Sequence, residues 1–169
     1  AMEVVGIRNQ KLEIFQVLDR IFYTRSFEIA RQAFAGSDIA LDMLIKWVDE
    51  NVPNRYQEAG SIYRSYYFLA LSSTFLNKAE RLGYYSLLRY ASILASSGVS
   101  LSNVGYVKRL APYQFPSEVK YLSQTKESRL LFDSMSGKLS KYVHASKRKL
   151  VIDFISVFKI ALEELAKKK

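Results

Sequence analysis

The chain of 169 residues contains no cysteine, one histidine, three prolines and seven glycines. Without cysteine there can be no disulfide bond and no thiolate metal site, and the lone His144 makes a histidine-based zinc site improbable. No apolar run approaches the roughly 20 residues that cross a membrane. The N-terminus also lacks a signal-peptide pattern. These absences favour an intracellular globular protein with no membrane partner.

Catalytic motifs are missing as well. Gly137-Lys138 invites comparison with a phosphate-binding loop, but that loop needs an earlier glycine and a hydroxyl residue after the lysine, where this chain has Phe132 and Leu139. No dinucleotide fingerprint, nucleophile elbow or H-E-x-x-H motif is present. Asp49 and Glu50 are adjacent, so on a helix they diverge, and we interpret them as solvated carboxylates. The sequence therefore predicts no catalytic residue, cofactor or metal site in this chain.

Apolar residues recur at intervals of three and four along most of the chain, which is typical of amphipathic helices. We expect Ser26 and Ser146 to cap helices, Gly36 and Gly98 to end them, and Gly83 to mark a bend. The predicted helices cover about residues 9–23, 26–36, 38–52, 58–78, 84–97, 116 onward, 126–142 and 146 onward, with 98–116 as a surface loop. The prediction is an all-α fold: a single-domain helical bundle of about seven or eight helices over residues 1–169.

The segment 38–52, DIALDMLIKWVDENV, has both ends marked. Asp38 is a plausible N-cap, and Pro53 predicts the end of the helix because proline disfavours helical geometry at the residue before it. Trp47, the only tryptophan, lies at the edge of the apolar stripe. We interpret it as a core residue, since aromatic side chains usually bury their large apolar area.

Positive charge is concentrated in the last two thirds of the chain. Lys and Arg number seven against nine Asp and Glu in residues 1–58, nine against four in 59–137, and nine against three in 138–169, and the whole chain carries +9. Basic residues interleave there with tyrosines, a pattern that suits phosphate contacts and base stacking, although a solvated lysine-rich surface explains it equally well. The candidate DNA-binding residues are Arg81, Arg89, Lys108, Arg109, Lys147, Arg148 and Lys149.

Three strings in register resemble the large subunit of the archaeal replication factor C clamp loader. LDMLIKWVDENVPNRY at 41–56 is similar to that family's W-[IV]-x-E-N-[IL]-P-x-x-Y element. Residues 63–99 resemble its Y-x-x-L-S-x-A-D-x-F-L-G-R segment and the R-x-x-Y-Y-x-L-x-R-Y string that follows, with departures at Ser73-Thr74 and Asn77-Lys78. PSEVKYLSQTKESR and KLSKYVHASKRK resemble its distal helices. The likeness covers roughly residues 10–165.

The resemblance implies that the chain is the helical collar domain of the large subunit, a piece of a longer prokaryotic cytoplasmic, nucleoid-associated protein. It implies partners: the small clamp-loader subunits, primer–template DNA, and the sliding clamp through a missing module. An AAA+ ATPase module that binds ATP and magnesium would precede residue 1. The alternative that stays open is a stand-alone basic helical DNA-binding domain.

Overall fold

The computed structural model describes residues 2–107, 112–154, 157 and 160. All regular structure in these residues is helical, apart from one isolated bridge between Tyr56 and Val107, so the predicted all-α class is confirmed. The α-helices are α1 (Met2–Tyr23), α2 (Phe27–Ala35), α3 (Leu41–Arg55), α4 (Ala59–Leu82), α5 (Leu87–Ile93), α6 (Val99–Ser102), α7 (Ser117–Gln124), α8 (Lys126–Val143) and α9 (Lys147–Lys149). Two π-helical turns, Leu94–Gly98 and Leu150–Phe154, continue α5 and α9.

Internal contacts divide the chain into two compact units, Ala1–Ser117 and Glu118–Lys169. That the whole chain acts as one domain stays a prediction. Within the described ranges, no helix is both long enough and apolar enough to span a membrane.

The core of the first unit is built mainly from α1, α3 and the helical segment 87–102, to which α2 adds Ala30 and α4 adds Leu69. Leu18, Ile21 and Phe22 of α1 are completely buried, and burial of each such side chain is worth roughly 1.5–3 kcal/mol. Trp47 is only 6% exposed and contacts Phe15 edge-on, which confirms that it is a core residue. The ion pairs Arg31–Glu28, Lys46–Asp42 and Lys147–Asp133 are partly or largely open to solvent, and each contributes far less than a buried apolar side chain.

Helix α4 has an inner face of small residues. Ser61, Ser65, Ser72 and Ala79 are buried along it, and small side chains let neighbouring backbones approach closely. The Ser72 hydroxyl donates to the Ala91 carbonyl at 2.8 Å, which ties α4 to α5. Gly83 ends α4 in the left-handed conformation (φ 73°) that glycine adopts without strain, so the predicted bend is confirmed.

The prediction that Gly98 closes the next helix is wrong. The helical backbone continues through the π-helical turn and Gly98 into α6, which ends at Ser102. Gly98 instead allows Phe68 of α4 to pack closely against the helix backbone, because a Cβ at position 98 would lie 3.0 Å from Cγ of Phe68. The predicted loop 98–116 therefore begins only at Asn103.

The predicted bounds of the third helix are also wrong at both ends. Helix α3 starts at Leu41, and Asp38 is not its cap, since its N-cap residue is Ala40. At the other end the helix passes through Pro53 to Arg55. Proline cannot donate to the carbonyl four residues earlier, but the Tyr66 hydroxyl of α4 donates to that Asp49 carbonyl at 3.4 Å. A neighbouring helix thus replaces the donor that proline lacks.

In the second unit, α8 follows the predicted range closely. It ends at His144, which adopts a left-handed conformation (φ 47°) as its C-cap. Ser146 then caps α9, its hydroxyl accepting from the Lys149 N–H at 3.3 Å, as predicted. Leu150 is fully buried, whereas Phe158, Leu162 and Leu165, further along the helix predicted from residue 146 onward, lie outside the described residues.

Candidate nucleic-acid surface and the strap on helix α3

Arg81 and Arg89 lie at the same end of the hairpin that α4 and α5 form. Arg81 is in the last turn of α4 and Arg89 is the third residue of α5. Both are exposed, and no hydrogen bond or ion pair engages either guanidinium within the described part of the chain. They are available to an anionic partner.

Three exposed tyrosines lie within a few residues of these arginines in the sequence. Tyr84 and Tyr85 form the turn between the helices and are 60% and 67% exposed, and Tyr90 on α5 is 57% exposed. The turn is fixed by backbone hydrogen bonds from Leu87 to Tyr84 and from Leu88 to Tyr85. We call Arg81, Tyr84, Tyr85, Arg89 and Tyr90 the hairpin tip. Exposed rings beside cations provide the stacking and phosphate contacts that single-stranded nucleic acid requires.

The basic residues Lys147, Arg148 and Lys149 lie in the second unit, on α9. Lys147 is partly engaged, since its Nζ is 3.6 Å from the Asp133 carboxylate of α8. Arg148 and Lys149 line an open pocket together with Ile152 and Asp153. The remaining candidates, Lys108 and Arg109, lie outside the described residues.

The string WVDENVPNRY carries a second set of contacts that sequence reasoning missed. It supports residues 112–117, here called the strap, which run over α1 and α3. The completely buried Asn51 forms a reciprocal pair with the backbone of Gln114: its Nδ2 donates to the Gln114 carbonyl at 2.9 Å, and its Oδ1 accepts from the Gln114 N–H at 2.8 Å. A side-chain amide carries a donor and an acceptor side by side, so it can satisfy both backbone functions of one residue at once.

Two neighbours of Asn51 extend this support. The Trp47 ring contacts Phe115 edge-on, with 5.4 Å between ring centroids. Glu50 Oε2 accepts from both the N–H and the hydroxyl of Ser117, at 2.8 and 2.7 Å. Glu50 is therefore half-buried and bonded to the first residue of α7, and the interpretation that it is simply solvated is wrong.

Tyr113 fixes the start of the strap to α1. Its ring stacks on Phe15, the Arg55 guanidinium carbon lies 3.9 Å from the ring centroid, and its hydroxyl donates to Asp19 Oδ1 at 2.6 Å. Burial, followed by the bond to Asp19, raises the pKa of Tyr113 well above its usual range. The hydroxyl stays protonated at neutral pH and the bond is kept.

Tyr56, the last residue of the string, is buried and bonds to Val99 and Val107. It is 1% exposed, its hydroxyl donates to the Val99 carbonyl at 3.0 Å, and it pairs with Val107 through the isolated bridge. Burial raises the pKa of its hydroxyl. The string thus joins α3 to the core and to the strap, and none of these contacts resembles a catalytic arrangement.

Fold and sites together define an all-helical module with a buried supporting string and an exposed basic tip. The comparisons identify its relatives. The replication factor C large subunit of Sulfolobus acidocaldarius is 31% identical over 89% of this chain and 36% of its own length, and that of Nanoarchaeum equitans is 31% identical over 98% of this chain and 38% of its own length. The large subunit of Thermococcus kodakarensis is 34% identical over 87% of this chain and 29% of its own length.

By sequence, the chain is a relative of the archaeal replication factor C large subunits, and the resemblance drawn from the three strings is confirmed. It spans about a third of the length of those relatives. No protein-family model matches the chain, and no solved structure matches it significantly.

Proposed function

We propose that this chain is the collar module of a clamp-loader large subunit, which holds that subunit against small clamp-loader subunits. The observation that carries the proposal is the coverage: proteins named replication factor C large subunit align over nearly all of this chain and over only about a third of themselves. The other two thirds leave room for the ATPase module that the resemblance implies. In the complete protein that module would bind ATP and magnesium and reach the sliding clamp.

The structure supports an assembly role through the character of its sites. The string WVDENVPNRY uses its polar side chains for hydrogen bonds inside the protein, to Gln114, Ser117 and the Val99 carbonyl. It therefore acts as a scaffold. Large apolar side chains are exposed in both units, including Tyr63, Leu131 and Tyr142. Exposed apolar and aromatic surface is typical of protein–protein contact sites.

The test is reconstitution with a purified archaeal clamp-loader small subunit. We expect a complex at micromolar concentration by analytical ultracentrifugation, and no ATP turnover by this chain alone. Absence of any complex would contradict the proposal. ATP hydrolysis by the purified chain would contradict the assignment of catalysis to another module.

The second candidate function is direct DNA binding, and the hairpin tip favours it. Two exposed arginines without a described partner lie within a few residues of three exposed tyrosines in the sequence. Each phosphate contact contributes about 0.7–0.9 to the slope of log affinity against log salt. We therefore expect an Arg81→Ala/Arg89→Ala double variant to lower that slope for primed DNA by about 1.4–1.8 in fluorescence anisotropy. The control is Lys46→Ala, a lysine already paired with Asp42.

A further inference from the structure

The turn between α4 and α5 is unusually exposed for the first unit. Residues 80–86 are all exposed, seven in succession, and no other stretch of that unit whose burial is described is as long. Along a helix that lies against a core, burial recurs every three or four residues, as it does at Ser65, Leu69 and Ser72 of α4. The run 80–86 therefore belongs to a projecting turn and not to the outer face of a packed helix.

Hydrogen bonds hold the backbone of this turn. Gly83 takes the left-handed conformation (φ 73°), and the Tyr85 N–H donates to its carbonyl at 3.0 Å. The Leu87 and Leu88 N–H groups donate to the Tyr84 and Tyr85 carbonyls, at 2.9 and 3.1 Å. The two tyrosines are thus carried by a backbone that is ordered before any ligand binds, which lowers the entropic cost of covering them.

The rings of these two tyrosines are not used by the described fold. Tyr84 and Tyr85 are 60% and 67% exposed, and neither makes a ring contact or a side-chain hydrogen bond with a described residue. Tyr56 and Tyr113 of the same unit, in contrast, are bonded through their hydroxyls and pack on other rings. Adjacent aromatic rings that stand in solvent offer flat apolar surface to a ligand.

Cations flank the turn on both sides. Lys78 and Arg81 precede it on α4, Arg89 follows it on α5, and all three are exposed without an ion pair to a described residue. Glu80 is the one carboxylate in residues 78–90, so three cations less one carboxylate leave a formal charge of +2. The charge favours an anionic ligand, and rings that lie between cations are the arrangement that binds single-stranded nucleic acid.

The same arrangement favours unpaired bases over paired ones. In a duplex each base face is covered by the neighbouring base pair, so a tyrosine could stack only after the pairs had opened. A duplex would therefore use the cations of the turn, through its phosphates, and leave the rings unused. A single strand uses both, since aromatic stacking stabilises any base whatever its identity.

We propose that the turn between α4 and α5 is a stacking platform for unpaired bases of single-stranded DNA. Tyr84 and Tyr85 contact the bases, while Lys78, Arg81 and Arg89 contact the phosphates on either side. The inference rests on the second candidate function, direct DNA binding, and names the form of DNA that the hairpin tip selects.

The first test compares DNA ligands and needs no substitution. A labelled single strand, its duplex, and an abasic strand that keeps every phosphate but lacks the bases are titrated with the wild-type chain in fluorescence anisotropy. We expect the ordinary single strand to bind more tightly than either of the others, and at least about tenfold more tightly than the abasic strand. Equal affinity for the ordinary and abasic strands, or tightest binding of the duplex, would overturn the inference while direct DNA binding stands.

The second test changes the rings. Tyr84→Leu/Tyr85→Leu should bind the ordinary strand at least about tenfold more weakly and the abasic strand as the wild type does, because it removes no charge. Tyr84→Phe/Tyr85→Phe keeps both rings and should bind like the wild type. The matched control is Tyr63→Leu/Tyr67→Leu, which changes two tyrosines of α4 that are 71% and 54% exposed. Its affinity should stay within about twofold of the wild type, and the thermal unfolding midpoint checks each fold.

The remaining outcomes separate this inference from the proposed functions. If the leucine variant at the tip loses affinity for the abasic strand as well, the rings do not act on bases and the inference is wrong. If that variant keeps its DNA affinity but no longer binds a purified clamp-loader small subunit, the turn is a protein contact and the inference is again wrong. If the wild-type chain binds no DNA, the second candidate function fails and the inference fails with it.

Discussion

The strap on α3 and the hairpin tip use the same kinds of residue in opposite ways. On α3, Arg55 lies over the Tyr113 ring and is 2% exposed. At the tip, Arg81 and Arg89 stand beside tyrosines that are more than half exposed and engage no described partner. Arginine and tyrosine therefore reveal a site by their burial and pairing, and their type alone does not distinguish support of the fold from contact with a partner.

Removal of Asn51 should have the largest effect on stability. Asn51→Ala removes a completely buried amide together with its hydrogen bonds to the Trp47 carbonyl and to the N–H and carbonyl of Gln114, and should lower the free energy of unfolding by about 2–3 kcal/mol in urea titration. Asn54→Ala is the matched control, because the Asn54 amide bonds only the Glu50 carbonyl of its own helix, at 3.3 Å. It should cost no more than about 0.5 kcal/mol. Equal losses of unfolding free energy in the two variants would show that the bonds between Asn51 and the strap do not stabilise the fold.

High pH should have the second largest effect on the stability of the strap region. The folded pKa values of Tyr56 and Tyr113 are raised by burial, so the native state holds these protons more tightly than the unfolded chain does. Their contribution is complete below about pH 10, the unfolded tyrosine pKa, and is lost as the pH rises above it towards the folded values. Urea midpoints should fall as the pH rises from about 10 to 11, and less so in Tyr113→Phe. An unchanged decline in that variant would exclude Tyr113 as a source.

Loss of Glu50 should have a smaller effect. Glu50→Ala removes the acceptor of two Ser117 bonds at the start of α7, and we expect a loss of about 1 kcal/mol because the site is partly open to water. Asp42→Ala on the same helix is the comparison, since it removes only the exposed pair with Lys46 at 3.9 Å. That change should cost about 0.3–0.5 kcal/mol. Hydrogen exchange at the Ser117 amide should rise in Glu50→Ala alone.

The hairpin tip should be the least sensitive region. Arg81→Ala with Arg89→Ala removes exposed groups that make no described internal bond, so the free energy of unfolding should change by less than about 0.5 kcal/mol. The same variant is the one expected to lose salt-dependent DNA affinity. A destabilisation near that of Asn51→Ala would mean that the tip supports the fold, and the contrast between the two regions would disappear.

The sequence could predict what depends on neighbours along the chain. The 3.6-residue pattern gave the helical class, and Ser26, Gly83 and Ser146 marked helix ends because caps and left-handed turns need those residue types. The string WVDENVPNRY indicated the similarity to archaeal replication factor C large subunits, but it did not indicate what the string does in the fold. Its partners, Gln114 and Phe115, are more than 60 residues away, and periodicity carries no information on such contacts.

Sequence by itself thus determined the all-α class, the burial of Trp47, the basic character of the later part of the chain and the relationship to archaeal clamp-loader large subunits. The tertiary structure alone decided that α3 continues through Pro53, because the donor that compensates for proline is the Tyr66 hydroxyl of another helix. It also decided that Gly98 lies inside a helix, because Phe68 occupies the space of its missing side chain. Local propensity sets where a helix prefers to end, and packing against a neighbour can override that preference when it supplies the missing bond or contact.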